Sequence, residues 1–209
     1  MTRPKIKICG ITTVNQAKQI AAMEVNALGF ILYKKSPRYI APTKVKEILQ
    51  RLSPLIKSVG VFVDEPIEKI SNIYQTSGLD TVQLSGGETP EYCQELSQRG
   101  VSWIKSFRIK NDVDEEELER YGREYILLDA WSADEFGGTG KTFDWKLIEN
   151  LQQKFKIILA GGINPNNVAK AVRLLEPYAI DVSSGVETSP GVKSLDKIEQ
   201  LITRVNELY

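Results

Sequence analysis

The sequence predicts an α/β protein folded as a single (β/α)8 TIM barrel domain over residues 1–209, and three observations carry that expectation. Eight short apolar, β-branched runs recur along the whole chain. Mixed apolar and charged segments with helix-start signals fill the gaps between them, and no hairpin, linker or second-domain pattern is left over. The runs start 22 to 32 residues apart, which leaves room each time for a helix and two short connections. Nearly continuous apolar strands alternating with helices mean a parallel sheet covered by helices. Eight evenly spaced units favour closure into a barrel over an open doubly wound sheet.

In chain order, KIKIC (5–9) is the first strand, and Thr12 marks the start of the helical segment VNQAKQIAAM. ALGFIL (27–32) follows and leads into the basic loop 34–38. SVGVFV (58–63) precedes Pro66, which opens IEKISNIY, and DTVQL (80–84) precedes Thr89-Pro90, which open EYCQELSQ. A small polar residue before the first turn accepts from an orphan backbone donor, and proline in that turn removes one. SWIKSF (102–107) is followed by the acidic run 112–120, the solvated face of a fifth helix. The last three strands are EYILLD (124–129), KIILA (156–160) and AIDVS (179–183), with Asn164-Pro165 opening the helix NNVAKAVRLL between the final two.

Composition narrows the chemistry. The chain contains no histidine, which excludes Ser-His-Asp and Cys-His pairing, an imidazole proton shuttle and histidine-ligated metals. Acid-base work falls to Asp, Glu, Lys, Tyr or Cys. The 27 basic and 27 acidic side chains balance, so the basic footprint of a nucleic-acid or anionic-membrane binder is missing and a small-molecule ligand is expected. Cys9 and Cys93 form no CxxC, so two reduced thiols are expected rather than a disulfide or metal knot. No apolar run reaches membrane-spanning length and MTRPKIKICG does not read as a signal peptide, so the expected location is the cytosol, and the expected state a monomer.

In a barrel, function gathers where strands end and βα loops begin. Cys9 ends the first strand and Asp129 the sixth, which brings a thiol and a carboxylate to one mouth as a candidate acid-base pair. After the seventh strand comes AGGINP, containing Gly161 and Gly162, and after the eighth Ser183-Ser184-Gly185. Glycine lets backbone N–H groups approach an anion closely, and loops seven and eight are where barrels commonly hold phosphate, so a phosphorylated substrate is inferred. GGTGKT (137–142) is not a nucleotide-binding P-loop, because the first glycine of that pattern would fall at Glu135; a lid over the site is the better reading. Arg38, in the loop after strand two, is placed to grip a carboxylate with its planar fork.

These pieces together resemble the phosphoribosylanthranilate isomerases of tryptophan biosynthesis. The resemblance runs the full chain through KICGIT (7–12), KSPRYI (35–40), VGVFVDE (59–65), VQL, ILLD, GGTGKTFDW (137–145), AGGINPNNV and DVSSGVETSPGVKS (181–194). It implies an Amadori rearrangement of N-(5′-phosphoribosyl)anthranilate to 1-(o-carboxyphenylamino)-1-deoxyribulose 5-phosphate, with no metal or organic cofactor. It further implies that Asp129 is the general acid, Cys9 the general base, Arg38 the partner of the anthranilate carboxylate and Asp181 that of a sugar hydroxyl. Gly161, Gly162, Ser183, Ser184 and Gly185 would hold the phosphate. One departure is visible: the family commonly has histidine where this chain has Ser85.

Overall fold

A computed structural model describes residues 2–110, 113–130 and 144–209. Its elements run β1 (Lys5–Cys9), α1 (Val14–Ala21), β2 (Ala27–Ile31), α2 (Pro42–Leu49), β3 (Lys57–Phe62), α3 (Ile67–Ser77), β4 (Thr81–Leu84), α4 (Pro90–Gln98), β5 (Trp103–Ile109) and α5 (Glu115–Arg120). They continue with β6 (Tyr125–Ala130), β7 (Lys156–Leu159), α6 (Val168–Leu175), β8 (Ala179–Val182), the short strands β9 (Glu187–Ser189) and β10 (Val192–Lys193), and α7 (Leu195–Asn206). β1 to β8 are parallel neighbours in sequence order and close into a barrel, as the eight-run pattern predicts. Closure is made by β1 against β8, with Lys7 opposite Asp181.

The pleat sorts each strand into two faces. Ile6, Ile8, Leu28, Phe30, Val82, Leu84, Ile126, Leu128, Ile157, Leu159, Ile180 and Val182 join the helix side chains in the main apolar layer. The inward positions split by depth. Leu127, Ile158, Ala160 and Ala179 form a small second apolar cluster inside the barrel. Around and above it the interior turns polar, with Lys7, Gln83, Ser106 and Asp181 all buried. Buried charge survives only when paired, so this interior already points to chemistry rather than packing.

Several boundaries differ from the sequence reading. The cap of α1 is Thr13, whose hydroxyl accepts from Gln16 N–H, one residue beyond Thr12. Thr89 and Pro90 open α4 as expected. Asp114 caps α5, whose three leading glutamates complement the positive end of the helix, and only Leu118 of that helix is buried. The stretch after β6 holds 3-10 turns at Trp145–Ile148 and Leu151–Gln153 where the repeat predicts a full helix. α6 starts at Val168 rather than at Asn164, because Asn164 and Asn167 are used to build the preceding turn. The β9–β10 hairpin around Pro190-Gly191 was not foreseen. The lid reading of residues 137–142 lies outside the described residues. Among the described residues no helix is long and apolar enough to cross a membrane.

Candidate active site

The C-terminal mouth of the barrel holds a cavity that gathers the candidate catalytic, substrate-binding and phosphate-binding residues named from the sequence. Cys9, Arg38, Asp129, Gly161, Gly162, Asp181, Ser183, Ser184 and Gly185 all line it. Ser85 lines it too, and accepts a 3.2 Å hydrogen bond from Gln83 Nε2. Strand register explains the gathering: Cys9 is opposite Gly29, Asp129 opposite Arg108, and Asp181 opposite Lys7. Arg108 also faces the cavity.

On one side lie the two anion loops. Gly161 and Gly162 adopt φ of 83° and 67°, a left-handed conformation that side chains resist, so glycine is required there. The loop they form is fixed from behind. Asn164 Nδ2 and Asn167 Nδ2 both donate to the Gly162 carbonyl, at 3.0 and 2.9 Å, and Asn167 Oδ1 accepts from Asn164 N–H at 2.9 Å. The second loop packs directly on the first, since a Cβ on Gly185 would stand 1.9 Å from the Ile163 carbonyl oxygen. Among the described residues no acceptor takes the backbone N–H groups of Gly161, Gly162, Ser184 or Gly185. Converging backbone donors on this scale suit an anion with several oxygens.

Beside the second loop, at the end of the strand that pairs with β8, sits Cys9, buried and reduced. Burial pushes its thiol above the ordinary range. The Lys7 ammonium pulls it back down, Asp181 adds to the rise, and Lys193 opposes it, with burial the winner. Lys7 lies two residues earlier on the same inward face, and its ammonium contacts Asp181 Oδ1 and Oδ2 at 2.9 and 2.8 Å and Gln83 Oε1 at 3.0 Å. Burial alone would discharge that lysine, but the Asp181 carboxylate and the neighbouring thiol outweigh it and hold its pKa above normal. Asp181 keeps lone pairs for a ligand hydroxyl even so, because each carboxylate oxygen can accept more than one hydrogen bond.

Arg38 is buried, and its guanidinium is forked onto Glu187: Nε lies 3.0 and 3.1 Å from the two carboxylate oxygens and one Nη 2.8 Å from Oε2. The sequence reading named Arg38 but not Glu187, Lys193, Lys7, Gln83 or Arg108. Lys7 and Gln83 carried a legible signal, a polar residue at the inward position of an otherwise apolar strand. Glu187 carried none, standing 149 residues from Arg38. Among the described residues no cluster of three or more Cys, Asp or Glu could hold a metal ion.

Comparison with known proteins agrees with this geometry. The family model described as N-(5′-phosphoribosyl)anthranilate (PRA) isomerase matches residues 6–204. The N-(5′-phosphoribosyl)anthranilate isomerase of Gloeothece citriformis is 43% identical over 206 residues, which cover 97% of this chain and 94% of that protein. The crystal structure of phosphoribosyl anthranilate isomerase from Thermotoga maritima superposes with a TM-score of 0.88 at 39% identity, over 98% of this chain and 99% of that one. A phosphoribosyl anthranilate isomerase in complex with reduced 1-(o-carboxyphenylamino)-1-deoxyribulose 5-phosphate superposes with a TM-score of 0.85 at 38% identity, over 98% and 99% of the two chains. The cavity, its paired anion loops and a sequence match spanning the whole barrel place this chain in the N-(5′-phosphoribosyl)anthranilate isomerase family.

Proposed function

We propose that this chain, as one barrel domain in the cytosol, catalyses the Amadori rearrangement of N-(5′-phosphoribosyl)anthranilate in L-tryptophan biosynthesis, with Asp129 as general acid and Cys9 as general base. One observation carries the assignment of roles: a thiol and a carboxylate from β1 and β6 share a cavity with two loops whose backbone donors meet no acceptor among the described residues. The phosphate docks on those loops, the ribose lies across the mouth, and the anthranilate carboxylate meets Arg38.

The chemistry follows from these placements. Ring opening needs a proton on the ribose ring oxygen as its bond to C1′ breaks, and Asp129 donates it, which requires the carboxyl to arrive protonated. The resulting iminium withdraws electrons from C2′ and makes the C2′ proton acidic. Cys9 removes it. The buried thiol is not ionised by its surroundings alone, so the iminium supplies the missing positive charge: with that cation in front of it the thiol gives up its own proton to solvent, and the thiolate then takes the C2′ proton. The enolamine then tautomerises to the ketone, and neither a metal nor an organic cofactor takes part. Asp181, held by Lys7, accepts from a sugar hydroxyl and so fixes C2′ against the thiol.

The decisive test is a fluorescence assay with freshly formed phosphoribosylanthranilate, run beside the aminoaldose substrate of the histidine pathway. Turnover of the first is expected. Turnover of only the second, or tight binding of product analogue with no turnover of either, would overturn the assignment.

A further inference from the structure

We propose that Glu187 is the positioning residue that presets Arg38 for the aromatic carboxylate, and so makes the enzyme discriminate in favour of a ring that bears one. The proposal rests on the reading of Arg38 given above and adds to it the group that aims the guanidinium.

Glu187 is buried and stands at the start of β9, whereas Arg38 comes from the loop between β2 and α2. The fork joins the two by three close contacts. The same carboxylate accepts from Lys193 Nζ at 2.6 Å and from Gly191 N–H at 3.2 Å, so it cannot swing with the arginine. Burial would push the Glu187 carboxyl up, but its bonds to Arg38 and Lys193 outweigh that and hold it below the usual range, so it is ionised and pairing at neutral pH.

Counting charges shows why such an arrangement suits an anion. Arg38 and Lys193 share one carboxylate; burial lowers the Lys193 pKa and Glu187 opposes the fall, and with Lys193 protonated one positive charge stays uncompensated inside the mouth of the barrel. The fork uses Nε and one Nη; among the described residues no hydrogen bond takes the other Nη, and Arg38 lines the cavity where a ligand would meet it. A Cβ placed on Gly10, the residue after Cys9, would lie 2.9 Å from Arg38 Cδ and 3.3 Å from Lys193 Nζ, so the surplus charge adjoins the proposed base. An incoming carboxylate therefore meets a guanidinium already locked in one rotamer, and little rotamer entropy remains to be lost on binding.

A purely structural role for Glu187 is the competing explanation. The carboxylate does bond within its own hairpin, to Gly191 and Lys193, but the hairpin is also secured by contacts that do not use it. Lys197 Nζ donates to the Glu187 backbone carbonyl at 2.6 Å, Ser194 N–H to Val186 at 2.8 Å, and Thr12 Oγ1 to the Gly191 carbonyl at 2.9 Å.

The test compares two ligands on the intact enzyme by titration calorimetry: reduced 1-(o-carboxyphenylamino)-1-deoxyribulose 5-phosphate and its phenylamino counterpart lacking the carboxylate. The wild type should prefer the first by about tenfold or more, the value of a charge-assisted hydrogen bond. Glu187→Gln should bring that preference below about threefold while leaving the phenylamino ligand bound as before. Glu187→Asp, which keeps the charge on a shorter arm, should fall between them and guards against simple misfolding of the glutamine variant. An undiminished preference in Glu187→Gln, alongside a lost preference in Arg38→Ala, would overturn the positioning role alone. An undiminished preference in Arg38→Ala as well would remove the reading of Arg38 and this proposal with it. Equal weakening of both ligands by Glu187→Gln would also count against it, since that is what a structural role gives.

Discussion

At Cys9 burial and charge pull against each other. Its thiol is pushed up by desolvation, and Lys7 limits the rise without reversing it. In the ligand-free enzyme, alkylation of Cys9 by iodoacetamide should therefore rise with pH only above the ordinary thiol value of 9.0. Lys7→Met should move that rise to still higher pH, because the nearest cation favouring the thiolate is gone; a profile unchanged by Lys7→Met would show that Lys7 does not act on the thiol. The acid and base roles themselves predict a sharper effect. Cys9→Ala and Asp129→Asn should each lower kcat by about 10² to 10⁴-fold, the usual range for acid-base assistance, with affinity for inorganic phosphate retained. Near-normal turnover in either variant would remove that residue from the mechanism. Cys9, Asp129 and the phosphate loops were legible in the sequence because each ends a strand, and barrel strands end at the site. Lys7 was visible only as a charged residue in an apolar run, and its meaning depends on Asp181, 174 residues away.

At the scale of the element, local signals and tertiary demands compete. α3 ends on Gly78 at φ 79°, and a Cβ there meets nothing within 4 Å. Gly78→Ala should thus destabilise by about 1 kcal/mol through backbone strain alone, read as a lower urea midpoint with an unchanged slope. A neutral result would mean that the helix end re-forms without the left-handed residue. The start of α6 shows the opposite balance. Asn164-Pro165 is a legitimate helix-start signal, yet both Asn164 and Asn167 turn their amides onto the Gly162 carbonyl and the helix begins only at Val168. Three residues of helix are exchanged for a rigid phosphate loop. The β9–β10 hairpin was missed for a related reason: two very short strands have too few residues for alternation to register, and only the Ser-Pro-Gly turn hinted at them.

Across the whole molecule, the mouth of the barrel is tied together by buried ion pairs from distant segments. Lys105 on β5 contacts Glu88 at 3.0 Å with both side chains almost fully buried, and Glu88 also accepts from Asp64 N–H at 2.9 Å and Gly86 N–H at 3.0 Å. One carboxylate therefore joins the loops after β3 and β4 to strand β5. Glu88→Ala leaves two donors unpaired and a buried cation without its counterion, held only by carbonyls such as that of Gly86 at 2.7 Å, and should lower unfolding stability by about 3 kcal/mol or more in urea titration; a loss under about 1 kcal/mol would show that the carbonyls alone suffice. Lys7–Asp181 and Arg38–Glu187 repeat the pattern around β1 and β8, where Asp181 and Arg38 line the ligand cavity.

By itself the sequence determined the eight-strand repeat, the absence of imidazole chemistry, the strand-end thiol and carboxylate, and the two glycine-bearing loops, because each of these is written in local spacing and residue type. Only the tertiary structure decided what surrounds them. The charge state of Cys9 depends on burial and on Lys7. The aim of Arg38 depends on Glu187 and Lys193. The shape of the phosphate loop depends on two asparagine amides. The physical reason is that folding sets both distance and burial: the barrel brings Glu187 to Arg38 and Asp181 to Lys7 from the far end of the chain, and even near neighbours such as Lys7 and Cys9, or the asparagines and Gly162, take their effect from the loss of water and the turn geometry, neither of which the sequence records.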